Sequence, residues 1–519
     1  MRQDLSVEEK VGQLMMFGFP GQQITEHIRD FISNHHLGGI IHFARNIDHP
    51  EQIQTLNHDL QTLAKNSPNG TGLFIAVDQE GGSVARLTEG VSVSPGNMAL
   101  GAAGSLELAE EVGRVTGEEL RILGFNINLA PCVDVNNNPV NPVIGVRSFG
   151  SDPERVAQLG AASIKGLQEH VIAVAKHFPG HGDTHVDSHL GLPVIDYDWE
   201  RLNAVELVPF RAAIQAGVEG MLAAHIFFPA FESNPNRPAS LSYGVLTKLL
   251  REELGFHGLI MTDCMEMQAI TKHFSMAEAA VLTVEAGSDL VLISHTPALQ
   301  KEAYWAVVDA VKSGRISEER IDESVTRILA AKERFQVGTP YPGSVGTEAN
   351  LKVMENAAGE SITVVKDQGN LPLDSAERVL VIETKTQAAS IAEEKISGTA
   401  SLGGALIEEG LAVHQYEVGL ECTEEEIKKL VNMSTNYSFV IIVTQDAHRY
   451  PSQAQCVREL AEAAKVIVVG ARTPYELQSF PEVETYVAAY SNRPFVWKRV
   501  APILTGKQRA TGELPVLLA

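Results

Sequence analysis

The feature that most constrains the fold of this 519-residue chain is an alternation of short apolar runs with longer amphipathic segments between residues 10 and 295. Eight runs have the length and composition of β-strands: Gly12–Phe19, Gly39–Phe43, Leu73–Val77, Phe125–Val135, Val171–Ala175, Gly220–Ile226, Gly258–Thr262 and Asp289–Ser294. Segments of helical period lie between them, including Pro50–Lys65, Glu107–Leu123, Pro153–Glu169, Leu202–Ala216 and Leu246–Leu254. Eight β units with intervening helices in this length predict a (β/α)₈ TIM-like barrel.

A doubly wound open sheet is the competing interpretation of the same alternation. It predicts one ligand site where the strand order reverses, commonly with a GxGxxG motif after the first strand. No such motif follows the first run, and polar clusters follow many runs rather than one. The pattern therefore favours the barrel.

Polar residues stand at the carboxyl ends of five successive β-like runs. In chain order they are Asp78–Gly82, Asp134, Lys176 with His177, His225, and Thr262 with Asp263. Active sites of (β/α)₈ barrels are built from the loops at that end of the strands. We therefore expect these side chains to converge on one site.

The chain beyond the predicted barrel indicates a second, smaller domain. Ser317–Phe335 has the pattern of an amphipathic helix with Ser317 as its N-cap, and residues 337–347 are rich in Gly, Pro and Thr. We predict a catalytic barrel domain at 1–336, a linker at 337–347 and a C-terminal α/β domain at 348–519. The last is expected to be an αβα layer with a parallel sheet. Its predicted strands are Ser361–Lys366, Val379–Glu383, Phe439–Thr444, Val466–Val469, Thr485–Ala489 and Phe495–Trp497.

Composition limits the partners and the compartment of the chain. A formal net charge of −24 argues against a nucleic acid or a membrane surface as partner. The N-terminus lacks the basic-then-apolar order of a signal peptide, and no apolar run approaches the length of a membrane-spanning helix. The four cysteines form no CxxC pair, so we expect reduced thiols and a cytoplasmic protein. They are Cys132, Cys264, Cys422 and Cys456.

The loop after the fifth run, KHFPGHGDTHVDSHLGL (Lys176–Leu192), holds four histidines spaced by four residues. On a helix this spacing would align imidazoles for zinc. Pro179, Gly180 and Gly182 exclude a continuous helix, so the spacing loses that meaning. We therefore expect no metal and no cofactor.

Two acidic residues and one histidine are the candidates for proton transfer and nucleophilic attack. If Asp187 and His189 lie in an extended segment, their side chains share a side, so the carboxylate can orient the imidazole. The alternative is a capping aspartate beside a solvent-exposed histidine. Asp263 lies at the end of a buried strand, where burying a carboxylate costs free energy unless the group is paired or has a functional role. Asp263 is therefore either a reactive group or a cap of the next helix. Its neighbour Cys264 is interpreted as a packing residue.

Five further residues have the chemistry of a sugar pocket. A carboxylate accepts hydrogen bonds from two hydroxyls, whereas lysine and arginine donate to hydroxyl oxygens. The candidates are Asp78, Arg86, Arg147, Lys176 and His177.

These motifs resemble those of glycoside hydrolase family 3, in particular its β-N-acetylglucosaminidase branch. The matching stretches occur in the family's order and cover most of the predicted barrel. They are AVDQEGGSVARL (Ala76–Leu87), APCVDV (Ala130–Val135), RSFG (Arg147–Gly150), KHFPGHGDTHVDSH (Lys176–His189) and MTDCMEM (Met261–Met267). The resemblance implies a retaining mechanism with Asp263 as nucleophile, His189 as general acid/base and Asp187 as its partner. It also implies that the five sugar-pocket residues bind the terminal sugar.

The activity implied by this resemblance is that of an exo-β-N-acetylglucosaminidase. Such an enzyme releases terminal N-acetylglucosamine from cell-wall muropeptides, as in peptidoglycan recycling, or from chito-oligosaccharides. A β-N-acetylglucosaminide phosphorylase and a β-glucosidase of the same family are the alternatives. Cys264 and Met265 depart from the small or acidic residues expected after the nucleophile, which leaves the aglycone open. From other classes, the alternatives are a catalytically silent sugar-binding protein and a metal-dependent hydrolase. The oligomeric state and the reach of the second domain are not fixed by the sequence.

Overall fold

The computed structural model describes residues 5–68, 70–385, 388, 390, 392–394 and 400–518. The outermost residues of the two predicted domains, 1–4 and 519, lie outside this range. Across the described part of the chain, no helix combines the length and the apolar character needed to cross a bilayer.

The first part of the chain forms the predicted barrel. Its eight strands are β1 (Met15–Phe17), β2 (Gly39–His42), β3 (Phe74–Val77), β4 (Ile127–Asn128), β5 (Ile172–Phe178), β6 (Gly220–Ala223), β7 (Leu259–Thr262) and β8 (Val291–Ile293). They pair in parallel in the order β8-β1-β2-β3-β4-β5-β6-β7. A bridge between Met261 and Leu290 joins β7 to the segment before β8 and closes the ring. The prediction of a (β/α)₈ barrel is therefore confirmed.

Helices surround this sheet and connect its strands. They are Val7–Gln13, Glu26–Asn34, Pro50–Lys65, Asn97–Ala103, Leu106–Ile122, Pro153–Gln168, Trp199–Ala204, Val208–Gln215, Gln268–Thr271, Met276–Ala286, Pro297–Lys312 and Glu318–Arg334. A π-helix, Gly244–Glu253, replaces the helix predicted at Leu246–Leu254. The helix predicted at Leu202–Ala216 is divided into two helices. Pro209 lies in the first turn of the second helix, where a backbone N–H has no hydrogen-bond partner within the helix, so the missing N–H of proline costs nothing.

The second sheet has six strands. They are β9 (Thr363–Lys366), β10 (Arg378–Thr384), β11 (Ala412–Val418), β12 (Phe439–Thr444), β13 (Val466–Gly470) and β14 (Thr485–Ala488), in the order β9-β14-β13-β12-β10-β11. The pairs are parallel except for β9 with β14, which are antiparallel. The sheet is thus mixed, and the prediction of a purely parallel sheet is wrong at this edge. Helices Leu402–Glu408, Glu424–Ser434, Pro451–Ala463 and Pro494–Leu504 accompany it.

One predicted strand of this sheet is a helix, and one strand was missed. Phe495–Trp497 belongs to the helix Pro494–Leu504, in which Val496, Trp497 and Val500 are buried against the sheet. Pro494 has the backbone φ that suits a first helical turn. The missed strand β11 lies at the sheet edge and is mostly exposed, so its sequence AVHQYEV carries no apolar run.

The two parts of the chain pack directly on each other. Residues 337–347 form no helix or strand and lead into the helix Glu348–Ser361. Met354 and Ala357 of that helix belong to the apolar core of the barrel. Further along, Arg493 Nε donates to the Gly82 carbonyl at 2.7 Å, and Tyr475 Oη donates to the Asn136 carbonyl at 2.9 Å. These bonds fix the second sheet against the loops at the carboxyl end of the barrel strands; the domain boundaries themselves remain a prediction.

Candidate active site

A cavity of about 530 Å³ lies at the carboxyl ends of the barrel strands. Seven of the eight site residues that the sequence predicts line it, and the eighth, Asp187, hydrogen-bonds to one of them. The seven are Asp78, Arg86, Arg147, Lys176, His177, His189 and Asp263. The strand ends thus bring together side chains that are far apart in the sequence, as expected for this fold.

A buried cluster of opposite charges forms one wall of the cavity. Glu80 receives two hydrogen bonds from Arg147, Nε to Oε2 at 2.9 Å and Nη2 to Oε1 at 2.8 Å. Lys176 Nζ lies 2.6 Å from Glu80 and 2.7 Å from Asp78. Burial opposes ionisation of Glu80, but the positive charges of Arg147 and Lys176 outweigh it and lower its pKa well below the usual range. Glu80 is therefore ionised and is held between two cationic side chains.

Asp134 organises the beginning of the histidine-rich loop. It is fully buried, and its carboxylate accepts a hydrogen bond from His177 Nδ1 at 2.7 Å and from the backbone N–H of His181 at 2.6 Å. Arg147 Nη2 lies 3.3 Å from His177 Nε2, so the network assigns the proton of His177 to Nδ1. The Asp134 pKa is lowered to about 2, because the contacts with His177 outweigh burial. His177 therefore presents a ring of fixed orientation to the cavity.

The predicted pair of Asp187 and His189 is present. Asp187 Oδ1 lies 2.7 Å from His189 Nδ1 and also accepts the His189 backbone N–H at 2.9 Å. The backbone is a turn rather than the extended segment assumed above, since the Leu190 N–H donates to the Asp187 carbonyl. Burial disfavours the charged imidazole, but the bond with Asp187 and the charge of Asp263 outweigh it and raise the His189 pKa. Its Nε2 is left for a ligand.

Asp263 follows β7 and is held by its own loop. Its Oδ1 accepts the Cys264 N–H at 2.6 Å. His225 connects the Ser240 hydroxyl, 2.7 Å from Nδ1, with the Cys264 carbonyl, 3.0 Å from Nε2. Burial raises the Asp263 pKa, but the histidines around it, His225 first, outweigh this and lower it to about 2. The carboxylate is therefore ionised near neutral pH and available to attack an electrophile.

The second domain completes the mouth of the cavity. Arg86 Nη1 donates to Glu394 at 2.7 Å and to the Ala392 carbonyl at 2.9 Å, and both residues line the cavity. Arg86 Nη2 also lies 3.7 Å from Asp78 on the opposite side. The chain beyond the barrel therefore contributes residues to the lining of the cavity as well as packing against the barrel.

Sequence reasoning placed Glu80, Asp134 and His225 at strand ends that were expected to converge on one site, but it assigned them no role, and it missed Glu394 altogether. Glu80 and Asp134 lie within the motifs AVDQEGG and APCVDV, and an acidic residue at a buried strand end was the signal that could have identified their roles. Cys264, interpreted above as a packing residue, lines the cavity instead, so that interpretation is wrong.

Two groups of side chains in the described residues have donor atoms close enough for a metal ion. One consists of Cys132, Asp134 and His177. The other consists of Cys264, Glu266 and His295. The site as a whole joins an ionised carboxylate and an oriented imidazole to a wall of hydrogen-bonding groups, which suits substitution at a carbon of a polyhydroxylated ligand.

Comparison with known proteins yields one family. The family model described as "Glycosyl hydrolase family 3 N terminal domain" matches residues 6–331. A β-hexosaminidase A of Pseudoalteromonas piscicida is 32% identical over 95% of this chain and 91% of its own length. Among solved structures, a glycoside hydrolase family 3 β-N-acetylglucosaminidase from Paenibacillus sp. str. FPU-7 is 44% identical in sequence to this chain. The two structures superpose with a TM-score of 0.96, and the match covers 99% of both chains. A β-glucoside phosphorylase is 25% identical, with a TM-score of 0.83 over 99% of this chain and 95% of that chain.

Proposed function

The chain belongs to glycoside hydrolase family 3, and from this premise we propose that it is a retaining exo-β-N-acetylglucosaminidase. The observation that carries the proposal is the meeting of ionised Asp263 with the Asp187–His189 pair in one cavity. Retaining glycosidases normally use two carboxyl groups. Here the oriented imidazole takes the role of the second one. The names of the relatives support N-acetylglucosamine as the sugar.

In the first proposed step, Asp263 forms a covalent bond to the anomeric carbon. The bond from that carbon to the leaving oxygen breaks, and the proton on His189 Nε2 passes to this oxygen. A raised His189 pKa suits this step, because more of the ring carries the proton near neutral pH. Asp187 stabilises the imidazolium before transfer and keeps the ring in place afterwards.

In the second step, water takes the place of the leaving group. His189 Nε2 removes a proton from the water, whose oxygen attacks the anomeric carbon while the bond to Asp263 breaks. Two inversions return the product with its original β configuration. The residue that donated a proton in the first step accepts one in the second.

The sugar is proposed to sit against the charged wall. Asp78 offers carboxylate oxygens to hydroxyls, and Lys176, Arg86 and Arg147 donate to hydroxyl oxygens. Lys176, Arg86 and Arg147 are buried, Asp78 is half-buried, and each is already held by an ion pair, so little ordering is required on binding. This supports recognition of a terminal sugar, and muropeptides or chito-oligosaccharides are its proposed sources.

A phosphorylase is the second candidate, favoured by the similarity to the β-glucoside phosphorylase. In that reaction inorganic phosphate replaces water in the second step. An imidazole brings no negative charge to the acceptor side, where a carboxylate would repel phosphate.

The experiment compares aryl β-N-acetylglucosaminide with aryl β-glucoside, each with and without phosphate. We expect preference for the N-acetyl substrate and no phosphate dependence; a strong rise with phosphate, with a sugar 1-phosphate as product, would support the second candidate. Asp263→Asn should lose on the order of 10⁴-fold in kcat. Asp196→Asn, at an exposed carboxylate outside the cavity, is the matched control. Wild-type turnover by Asp263→Asn would refute the nucleophile assignment.

A further inference from the structure

A thiol, a carboxylate and an imidazole meet at the cavity beside Asp263, and the proposed reaction uses none of them. Cys264, Glu266 and His295 each offer one donor atom, and these atoms all lie within 4.8 Å of one another. The distance from Cys264 Sγ to Glu266 Oε2 is 4.0 Å. All three residues line the same cavity as Asp263.

The backbone already holds these three residues in place. Cys264 and Glu266 follow β7, whereas His295 follows β8, its neighbour in the closed barrel. The two loops are joined by the Met265 N–H, which donates to the Leu292 carbonyl at 2.9 Å, and by the His295 N–H, which donates to Glu266 Oε2 at 2.6 Å. The second bond orients the carboxylate, as partners of metal ligands commonly do.

We propose that Cys264, Glu266 and His295 form a binding site for a thiophilic divalent cation of the zinc class. Zinc binds cysteine sulfur at about 2.3 Å and imidazole nitrogen or carboxylate oxygen at about 2.0–2.2 Å in tetrahedral geometry. Ligand atoms around such an ion are about 3.3–3.6 Å apart. The side chains therefore need to approach by about 0.4 Å for the Cys264–Glu266 pair and by at most about 1.5 Å for any pair. A set of sulfur, nitrogen and oxygen donors favours zinc, cobalt or cadmium over magnesium and calcium.

The other group of potential ligands, Cys132, Asp134 and His177, differs in two respects. It is fully buried, and its atoms are already bonded to one another: Cys132 Sγ donates to Asp134 Oδ2 at 3.2 Å, and His177 Nδ1 lies 2.7 Å from the same oxygen. The group around Cys264 faces open space, with Cys264 and Glu266 half-buried and His295 exposed. A cation can enter there, and a water or ligand oxygen can complete its coordination.

Occupation of this site blocks the reaction. Cys264 is the chain neighbour of Asp263, and its N–H is hydrogen-bonded to Asp263 Oδ1. A bound cation attracts the ionised carboxylate and fills part of the sugar cavity. On binding, the Cys264 thiol proton passes to the buffer, and the proton returns when the ion leaves. The cation is thus a reversible inhibitor, and this consequence alone rests on the function proposed above.

The experiment uses the full-length protein, freed of metal, titrated with Co²⁺ and followed by visible and near-ultraviolet absorption. We expect tetrahedral Co²⁺ bands, a thiolate-to-cobalt charge-transfer band, and loss of both on addition of Zn²⁺. Cys264→Ser should abolish the charge-transfer band, and His295→Gln should weaken binding by on the order of 100-fold. Cys422→Ser, in the second domain, is the matched control and should bind like the wild type.

This spectroscopic result does not depend on turnover, so it separates failure of the site from failure of the proposed function. A charge-transfer band that persists in Cys264→Ser, or disappears in Cys422→Ser, would overturn the proposal. So would absence of a band in a wild type that is folded by circular dichroism. In turnover assays, Zn²⁺ should inhibit the wild type, Mg²⁺ should not, and the zinc concentration for half inhibition should rise on the order of 100-fold in His295→Gln.

Discussion

Replacing Glu80 by glutamine tests whether the charged wall of the cavity stabilises the fold. Glu80→Gln keeps the size of the side chain and one acceptor oxygen, but it removes the charge shared by Arg147 and Lys176. Lys176 retains Asp78 at 2.7 Å. The hydrogen-bonding contacts that the Arg147 guanidinium keeps within the described residues are the Val143 carbonyl and His177 Nε2, each at 3.3 Å.

The expected cost follows from this loss of partners. Removing one member of a buried ion pair costs about 3–5 kcal/mol, because the other charge stays buried. Since glutamine retains one acceptor, we expect the lower end, about 3 kcal/mol. Equilibrium unfolding in urea near pH 7 measures it without the screening that a guanidinium salt brings. Glu118→Gln, which removes a partly exposed partner 3.5 Å from Arg114 on the same helix, is the control and should cost at most about 0.5 kcal/mol.

The pH dependence gives the argument a second test. The pKa of Glu80 is lower in the folded state than its usual value of about 4.3, so its contribution is present above that pH and is lost as the pH falls below it. The difference between wild type and Glu80→Gln should therefore shrink in acid. If the variant is as stable as the Glu118→Gln control near pH 7, or if the difference grows in acid, the reasoning is wrong.

Three further predictions concern other ionisable groups. In Asp187→Asn the alkaline limb of kcat/KM against pH should move to lower pH, because the charge that raises the His189 pKa is gone; an unmoved limb would contradict the assignment of the acid. Glu394→Gln should raise KM by up to about tenfold at nearly constant kcat, because Arg86 loses a partner that orients it; a kcat effect without a KM effect would count against this. Burial raises the pKa of Glu476 to about 7, so the stability it contributes is present below about pH 4.3 and lost as the pH rises through 7. Because glutamine does not titrate, the free energy of unfolding of Glu476→Gln relative to the wild type should therefore rise by on the order of 3 kcal/mol from about pH 4 to about pH 8, and an unchanged difference in urea unfolding would refute this.

The barrel could be predicted because parallel strands buried on both faces leave apolar runs that are visible in a sequence. The contact between Asp187 and His189 was also predictable, since two residues separated by one position are close in nearly any backbone conformation. The ion pairs of Glu80 with Arg147 and Lys176 were not predictable, because these partners come from distant parts of the sequence and only the closed barrel brings them together. The edge strand β11 was missed for a related reason: it is exposed, so its side chains are not restricted to apolar types.

Other features could not be predicted because they depend on contacts between residues that are far apart in the sequence. The mixed order of the second sheet depends on β9 pairing with β14, more than a hundred residues later. Glu394 lies in a segment without apolar or helical period, and nothing in its neighbourhood indicates Arg86 as partner. Long-range pairing of this kind is decided by the assembled fold rather than by local pattern.

The bonds from Glu394 to Arg86 and from Arg493 to Gly82 have a consequence for the timing of enzyme production. A ribosome makes Asp263 about 130 residues before Glu394. At common rates of synthesis this interval is on the order of ten seconds. During it, a nascent barrel carries its proposed nucleophile but lacks one side of its mouth. The complete cavity is therefore formed late in translation, and a chain released before residue 394 lacks the carboxylate that holds Arg86 at its mouth.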